Sequence, residues 1–91
     1  MGAMTEQTLQ RQVLRWLKHH HSNAFVWKIA DRWRAGLPDL FILEQGRVTF
    51  IELKVNAQQP RPLQVVTLQR LRQAGANAVV CWTLADVQRL F

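Results

Sequence analysis

The sequence predicts an α/β fold in which a helix, three strands, a second helix, a fourth strand and a last helix follow one another within 91 residues. Three observations predict it. The stretch from Gly36 to Lys54 has the pattern of a β-hairpin, and apolar residues recur at helical spacing in the segments on either side of it. A short apolar run, Ala78 to Trp82, then leads into a helix-capping pattern at Thr83 and Asp86.

A chain of this length makes one domain with a modest core, and we take it as residues 4–91. Met1-Gly2-Ala3, ahead of a second Met4, reads as an expression remnant. The first helix is expected from Thr5 to about His21. Leu9, Val13, Trp16 and Leu17 form its apolar stripe, Thr5 caps it, and Lys18 with the histidines suits the negative end of the helix dipole. Three consecutive histidines on a helix point in different directions, so His19, His20 and His21 make a solvated helix end rather than a chelate. Glu6 lies on the inward stripe, where it either meets a partner or simply complements the dipole in the first turn.

Phe25 to Ile29 reads as the first strand. The segment from Ala30 to Gly36 has no apolar period, and in it Arg32 and Arg34 flank Trp33. These three, together with Lys28 and Arg61, are candidates to meet a phosphate backbone or an unstacked base; Trp33 has a core role as its alternative.

In the hairpin, Leu40 to Leu43 and Val48 to Leu53 are rich in β-formers, and Gly46 can take positive φ in the turn. With Gln45-Gly46 as the loop, residue 44 pairs with 47 and the ladder sets Asp39 across from Glu52. Alternation then puts Glu52 and Lys54 on one face, toward which Asp39 also points. Two carboxylates opposed across a ladder repel unless a cation stands between them. The competing reading of Glu52 and Lys54 is a solvated ion pair on an edge strand. Pro38 weighs against it, because its fixed φ and missing N–H suit a strand start that delivers Asp39 rigidly.

Beyond the hairpin, Val55 to Arg61 is a polar loop, and Pro62 opens a second helix over Leu63 to Ala74, with Leu68 and Leu71 inward and Gly75 as its stop. Gln64 shares the line of Leu68 and Leu71. Ala78 to Trp82 makes the fourth strand, and Cys81 within it reads as a buried, inert thiol. Thr83 and Asp86 open a last helix expected to run through Phe91.

Charge narrows the partner. Twelve Lys and Arg against six Asp and Glu give a net charge of +6, which favours a nucleic-acid backbone. Half of the acids, Glu6, Asp39 and Glu52, fall at the proposed site, leaving the remaining surface more basic still. No apolar run is long enough to span a bilayer and no apolar signal segment opens the chain, so a cytoplasmic protein is expected.

Pro38-Asp39 followed by Glu52-Leu53-Lys54 resembles the Pro-Asp…(Asp/Glu)-x-Lys signature of restriction-endonuclease-like nucleases. More closely, Gly36-Leu37-Pro38-Asp39-Leu40 and Phe50-Ile51-Glu52-Leu53-Lys54, with Gln64, Leu68, Leu71 and Gly75 after them, is similar to the VRR-NUC (virus-type replication-repair nuclease) family. The resemblance implies a restriction-endonuclease-like αβββαβα core, a mixed four-stranded sheet flanked by helices. It also implies a Mg²⁺- or Mn²⁺-dependent endonuclease whose metal is held by Asp39, Glu52, the Leu53 carbonyl and Glu6. Lys54 would act on the attacking water or the transition state, and Gln64 would approach that lysine. Arg61 departs from the small hydroxyl residue that the family usually has before this proline.

Standalone members of the family resemble Holliday-junction resolvases, so branched DNA is the expected substrate. The alternatives are a nickase, a flap cutter, the catalytic piece of a restriction system or, from another class, a non-catalytic basic DNA-binding module. A homodimer is expected, since a four-way junction needs two symmetric cuts and the tryptophans and the Val87 to Phe91 run offer apolar surface.

Overall fold

The computed structural model describes residues 3–31 and 34–91. Its elements are α1 (Glu6–His20), β1 (Phe25–Lys28), β2 (Leu40–Glu44), β3 (Arg47–Leu53), α2 (Pro62–Gln73), β4 (Asn77–Cys81) and α3 (Leu84–Gln88). The strands form one mixed sheet in the order β1-β2-β3-β4. β2 pairs antiparallel with β1 and with β3, while β4 returns parallel to β3 through the α2 crossover. This is the restriction-endonuclease-like order that the sequence predicts.

Each element has a local cause. Thr5 caps α1 by accepting the Thr8 N–H, and Leu9, Val13 and Leu17 form its buried stripe. The β2–β3 turn is Gln45-Gly46, with φ of 50° and 78°, both positive as a tight two-residue hairpin requires. The ladder pairs Glu44 with Arg47, Leu43 with Val48 and so on to Leu40 with Ile51, which is the expected register. Gln64 caps α2, its side-chain oxygen accepting the Arg61 N–H at 2.8 Å. A guanidinium carries no acceptor, so the cap falls to the glutamine three residues on. Thr83 and Asp86 form the expected capping box of α3.

The last helix is shorter than predicted. It ends at Gln88, and the chain closes in tighter turns, Leu90 N–H to Val87 C=O and Phe91 N–H to Gln88 C=O. The tightening draws Phe91 onto Trp16 and His21, with ring centroids 6.1 and 5.0 Å apart. Leu90 and Phe91 thereby pack against the chain's own core, and the C-terminal run is not the spare apolar surface that its composition suggested.

The two faces of the sheet are covered unequally. α1 and α3 close one face over a dry core of Leu9, Val13, Leu17, Leu40, Ile42 and Ile51, continued by Leu53, Cys81 and Val87. Burial pushes the Cys81 thiol up to about 12, as suits an inert core residue. α2 lies on the other face beside β4, its buried Leu68 over the strand that carries buried Ala78. Toward β1 the same face is uncovered.

Gly36, at φ 84°, lies against α2, and a Cβ there would stand 2.7 Å from Leu63 Cγ and 3.1 Å from the Leu63 carbonyl oxygen. Gly46, at φ 78°, faces open space. Both Gly→Ala changes carry the left-handed backbone penalty of roughly 1–2 kcal/mol, but only Gly36→Ala also pushes α2 outward. In thermal denaturation Gly36→Ala should lose clearly more stability than Gly46→Ala; equal losses would mean that the β1–β2 loop is free to move away from α2.

Candidate active site

Just past the last paired residues, Leu40 and Ile51, the chain sets Asp39 beside Glu52. Asp39 is held three ways. Its N–H donates to Ile51 C=O at 3.0 Å, its C=O accepts from Ile29 N–H at 2.8 Å, and its carboxylate accepts from Leu53 N–H at 2.7 Å. A strand-end aspartate bonded on both main-chain groups and through its side chain has little freedom left. Pro38, buried before it, adds its fixed φ.

Glu52 is 2 % exposed, hydrogen-bonded to Asp39, and accepts from Gln64 Nε2 at 3.2 Å. Its carboxyl is pushed up to about 8, first by burial, then by the hydrogen bond and the charge of Asp39, with Lys54 opposing and Glu6 adding to the rise. Glu52 therefore holds its proton at neutral pH in the absence of a cation. Lys54, also buried, extends past the end of β3 and brings its ammonium to 3.9 Å from Glu6, at the first turn of α1. The half-exposed Glu6 thus rims the site from the opposite helical layer.

The predicted residues Glu6, Asp39, Glu52, Lys54 and Gln64 therefore meet at one end of the sheet. One expected interaction differs. Gln64 bridges Arg61 and Glu52 and is not hydrogen-bonded to Lys54, because its oxygen is taken by the helix cap and only its NH₂ is left to point inward. Lys28, Arg34 and Arg61 are exposed, and Arg34 lines a cleft that also includes Asp39; Arg32 and Trp33 lie outside the described residues. Sequence reasoning passed over Arg70. It lines a cleft with Arg34, Ala35, Leu37, Leu63 and Thr67, and its spacing from Leu63 and Thr67 on α2 was the available signal.

Among the described residues no three His, Cys, Asp or Glu side chains are close enough to hold a metal ion on their own. The donor set fits a hard divalent ion nonetheless. Two adjacent carboxyls, one with its pKa raised by burial and then by the other, are a pair that a cation would neutralise, and such ions keep water and phosphate as their remaining ligands.

A restriction-endonuclease-like sheet with paired acids and a lysine at one end of its central hairpin defines a nuclease-type fold and site. The VRR-NUC domain model matches residues 2–83, and the chain belongs to that family. A solved structure described as a VRR_NUC domain is 30% identical with a TM-score of 0.72, the match covering 88% of this chain and 90% of that one. Another, described as a VRR_NUC domain protein, has a TM-score of 0.83 at 22% identity, covering 98% and 86%, and supports the fold alone. Comparison with curated proteins gave no match. Membership supports a nuclease function, and the family is generally dependent on divalent metals.

The raised carboxyl sets a pH dependence. Glu52 keeps its proton in the folded protein up to about 8, whereas the unfolded chain releases it near 4.5. Its contribution to stability is therefore fully present below pH 4.5 and is lost as pH rises through about 8. In metal-free buffer the melting temperature should decline across that window, and Glu52→Gln should flatten the decline. An equally steep decline in the variant would assign the titration to another group.

Proposed function

We propose that this protein is a Mg²⁺- or Mn²⁺-dependent DNA endonuclease, structure-specific for branched DNA such as four-way junctions. The observation that carries the reading is the pairing of buried Glu52 with half-buried Asp39, with buried Lys54 beside them, an acidic site in a chain of net charge +6. A basic binding module has no use for buried acids facing its phosphates.

Asp39, Glu52 and the Leu53 carbonyl would hold the ion, with Glu6 near a second ion or an outer water. When bound, such an ion supplies charge neutralisation at a non-bridging phosphate oxygen and lowers the pKa of bound water. The chain's own groups do the rest. Asp39 is kept in place by the Leu53 N–H, and Gln64 orients the Glu52 carboxylate from α2. Lys54 holds its charge where the attacking water or the developing phosphorane stands, with Glu6 restraining its free end. Lys28, Arg34 and Arg61, with Arg32 and Trp33, are proposed to hold the backbone of the nucleic acid. Residues 4–91 are proposed to act as one domain.

Two symmetric incisions in a junction call for a two-fold homodimer, for which the solvent side of α2 offers exposed Val65 and Val66. Among the described residues no helix is long and apolar enough to cross a membrane, and a cytoplasmic site of action is part of the proposal.

Cleavage should be measured on four-way junctions, flaps, linear duplex and single strands, each with Mg²⁺ and with Mn²⁺. Asp39→Asn or Lys54→Ala should reduce cutting by at least about 10²-fold while DNA binding persists. Undiminished cleavage by either variant would remove the site assignment. Sedimentation should give twice the 10.6 kDa chain mass; a monomer would favour a nickase or flap nuclease.

Arg34→Ala should weaken binding to every DNA shape and lower the log-log salt slope by about one unit for each phosphate that is no longer neutralised. A slope identical to that of the wild-type protein would place the DNA-binding surface elsewhere.

A further inference from the structure

The strand registers divide the uncovered sheet face into rows that run across the strands. Phe25, Leu43 and Val48 form one row and Trp27, Phe41 and Phe50 the next, and Glu52, two residues beyond Phe50 on β3 and beside Asp39, continues the same face. Successive rows are two residues apart along each strand, roughly 7 Å. The aromatic rows therefore lie one and two steps from the carboxylates on the same face.

These rings are mutually braced and open to solvent. Phe41 sits at the centre, edge-on to Phe25 and Trp27 at 6.3 Å each and to Phe50 at 5.3 Å. Phe25 is 61% and Trp27 56% exposed, although the neighbouring strand buries Leu40 and Ile42 completely on its other face. Leaving two large rings in water costs stability that a core-facing placement would have avoided. The structure also carries exposed basic groups beside the site. Arg70 on α2 and Arg34 on the β1–β2 loop line one cleft, Arg34 lines another with Ile29 and Asp39, and neither arginine is in an ion pair among the described residues.

We infer that the Phe25–Trp27–Phe41 surface is a stacking platform for one or two unpaired bases of the nucleic acid, next to the reacting phosphate, with Arg34 and Arg70 on the backbone between. Aromatic faces take any base, and flanking guanidinium groups take the phosphates, so the platform recognises a single-stranded arm without reading its sequence. Trp27 and Phe50 lie one two-residue step along their strands from Ile29 and Glu52, so a base on Trp27 belongs to a nucleotide beside the one that is cut. A second copy of the chain is the other occupant that the apolar rings could accept. Two-fold pairing on this face would set the Arg34–Arg70 rims of both copies against each other and crowd the face that carries Asp39 and Glu52, so charge and access both favour nucleic acid.

The inference rests on the nuclease reading for its substrate, and the two can fail separately. Binding is measured by fluorescence anisotropy in EDTA, using an end-labelled duplex with a single-stranded arm and its blunt counterpart. Trp27→Ala should weaken binding of the armed duplex by roughly 5- to 100-fold, the worth of one stacked base, and leave the blunt duplex as it was. Phe25→Ala should act in the same direction, and Trp27→Phe should retain most of the preference. Equal losses on both duplexes, or none on either, would overturn the platform. So would a halved mass in light scattering with arm affinity unchanged, which would make the face an interface between copies. Cleavage by the wild-type protein is scored alongside. An arm preference dependent on Trp27 in a protein that cuts nothing supports the platform and removes the nuclease reading, whereas cutting without any such preference does the reverse.

Discussion

Everything at the site depends on the register of one two-residue turn. Positive φ at Gln45 and Gly46 starts a ladder in which paired residue numbers add to the same total as far as Leu40 and Ile51, and the next residue, Asp39, donates its N–H to the same Ile51 carbonyl and stands beside Glu52. A one-residue slip would turn every β2 side chain over, exposing Leu40 and Ile42, which are 0% and 1% exposed in the core. The hydrophobic core on one face thus enforces the pairing of two acids on the other. Stability and site geometry share a single constraint.

The electrostatics then have a simple layout. Glu44 is taken up by His21 at 2.9 Å. Asp86 is held below the usual carboxylate range by the Trp82 N–H and then by Thr83 and Arg89. Much of the negative charge outside the site is thereby engaged locally, and the outer surface is predominantly cationic. A polyanion is drawn to the molecule in general, but at Asp39 and Glu52 it meets like charge. That opposition is what a divalent cation would resolve, and it separates an electrostatic surface that collects a backbone from a local site suited to breaking one.

Unequal coverage of the sheet is the second consequence of the topology. Two helices close one face, while a single crossover helix beside β4 must serve the other. α2 brings Gln64 to the acids and closes over Leu68, yet it is too narrow to reach β1. The outer aromatic residues lie beyond its reach, and Phe25 and Trp27 stay in solvent. The same economy that makes the fold small provides a surface beside the site.

The sequence by itself determined the element order, the hairpin register and the meeting of Asp39, Glu52 and Lys54, because turn chemistry and strand alternation act over a few residues. Glu6 was legible as an acid on an apolar stripe, though its partner was not. Tertiary structure alone decided that Gln64 bonds Glu52 rather than Lys54, since the uncapped Arg61 N–H claims its oxygen first. It alone ended α3 at Gln88, where packing of Phe91 on Trp16 and His21 outweighed helical periodicity. And it alone left Phe25 and Trp27 in solvent, because a strand's alternation says which residues share a face but not whether a distant helix is wide enough to cover it.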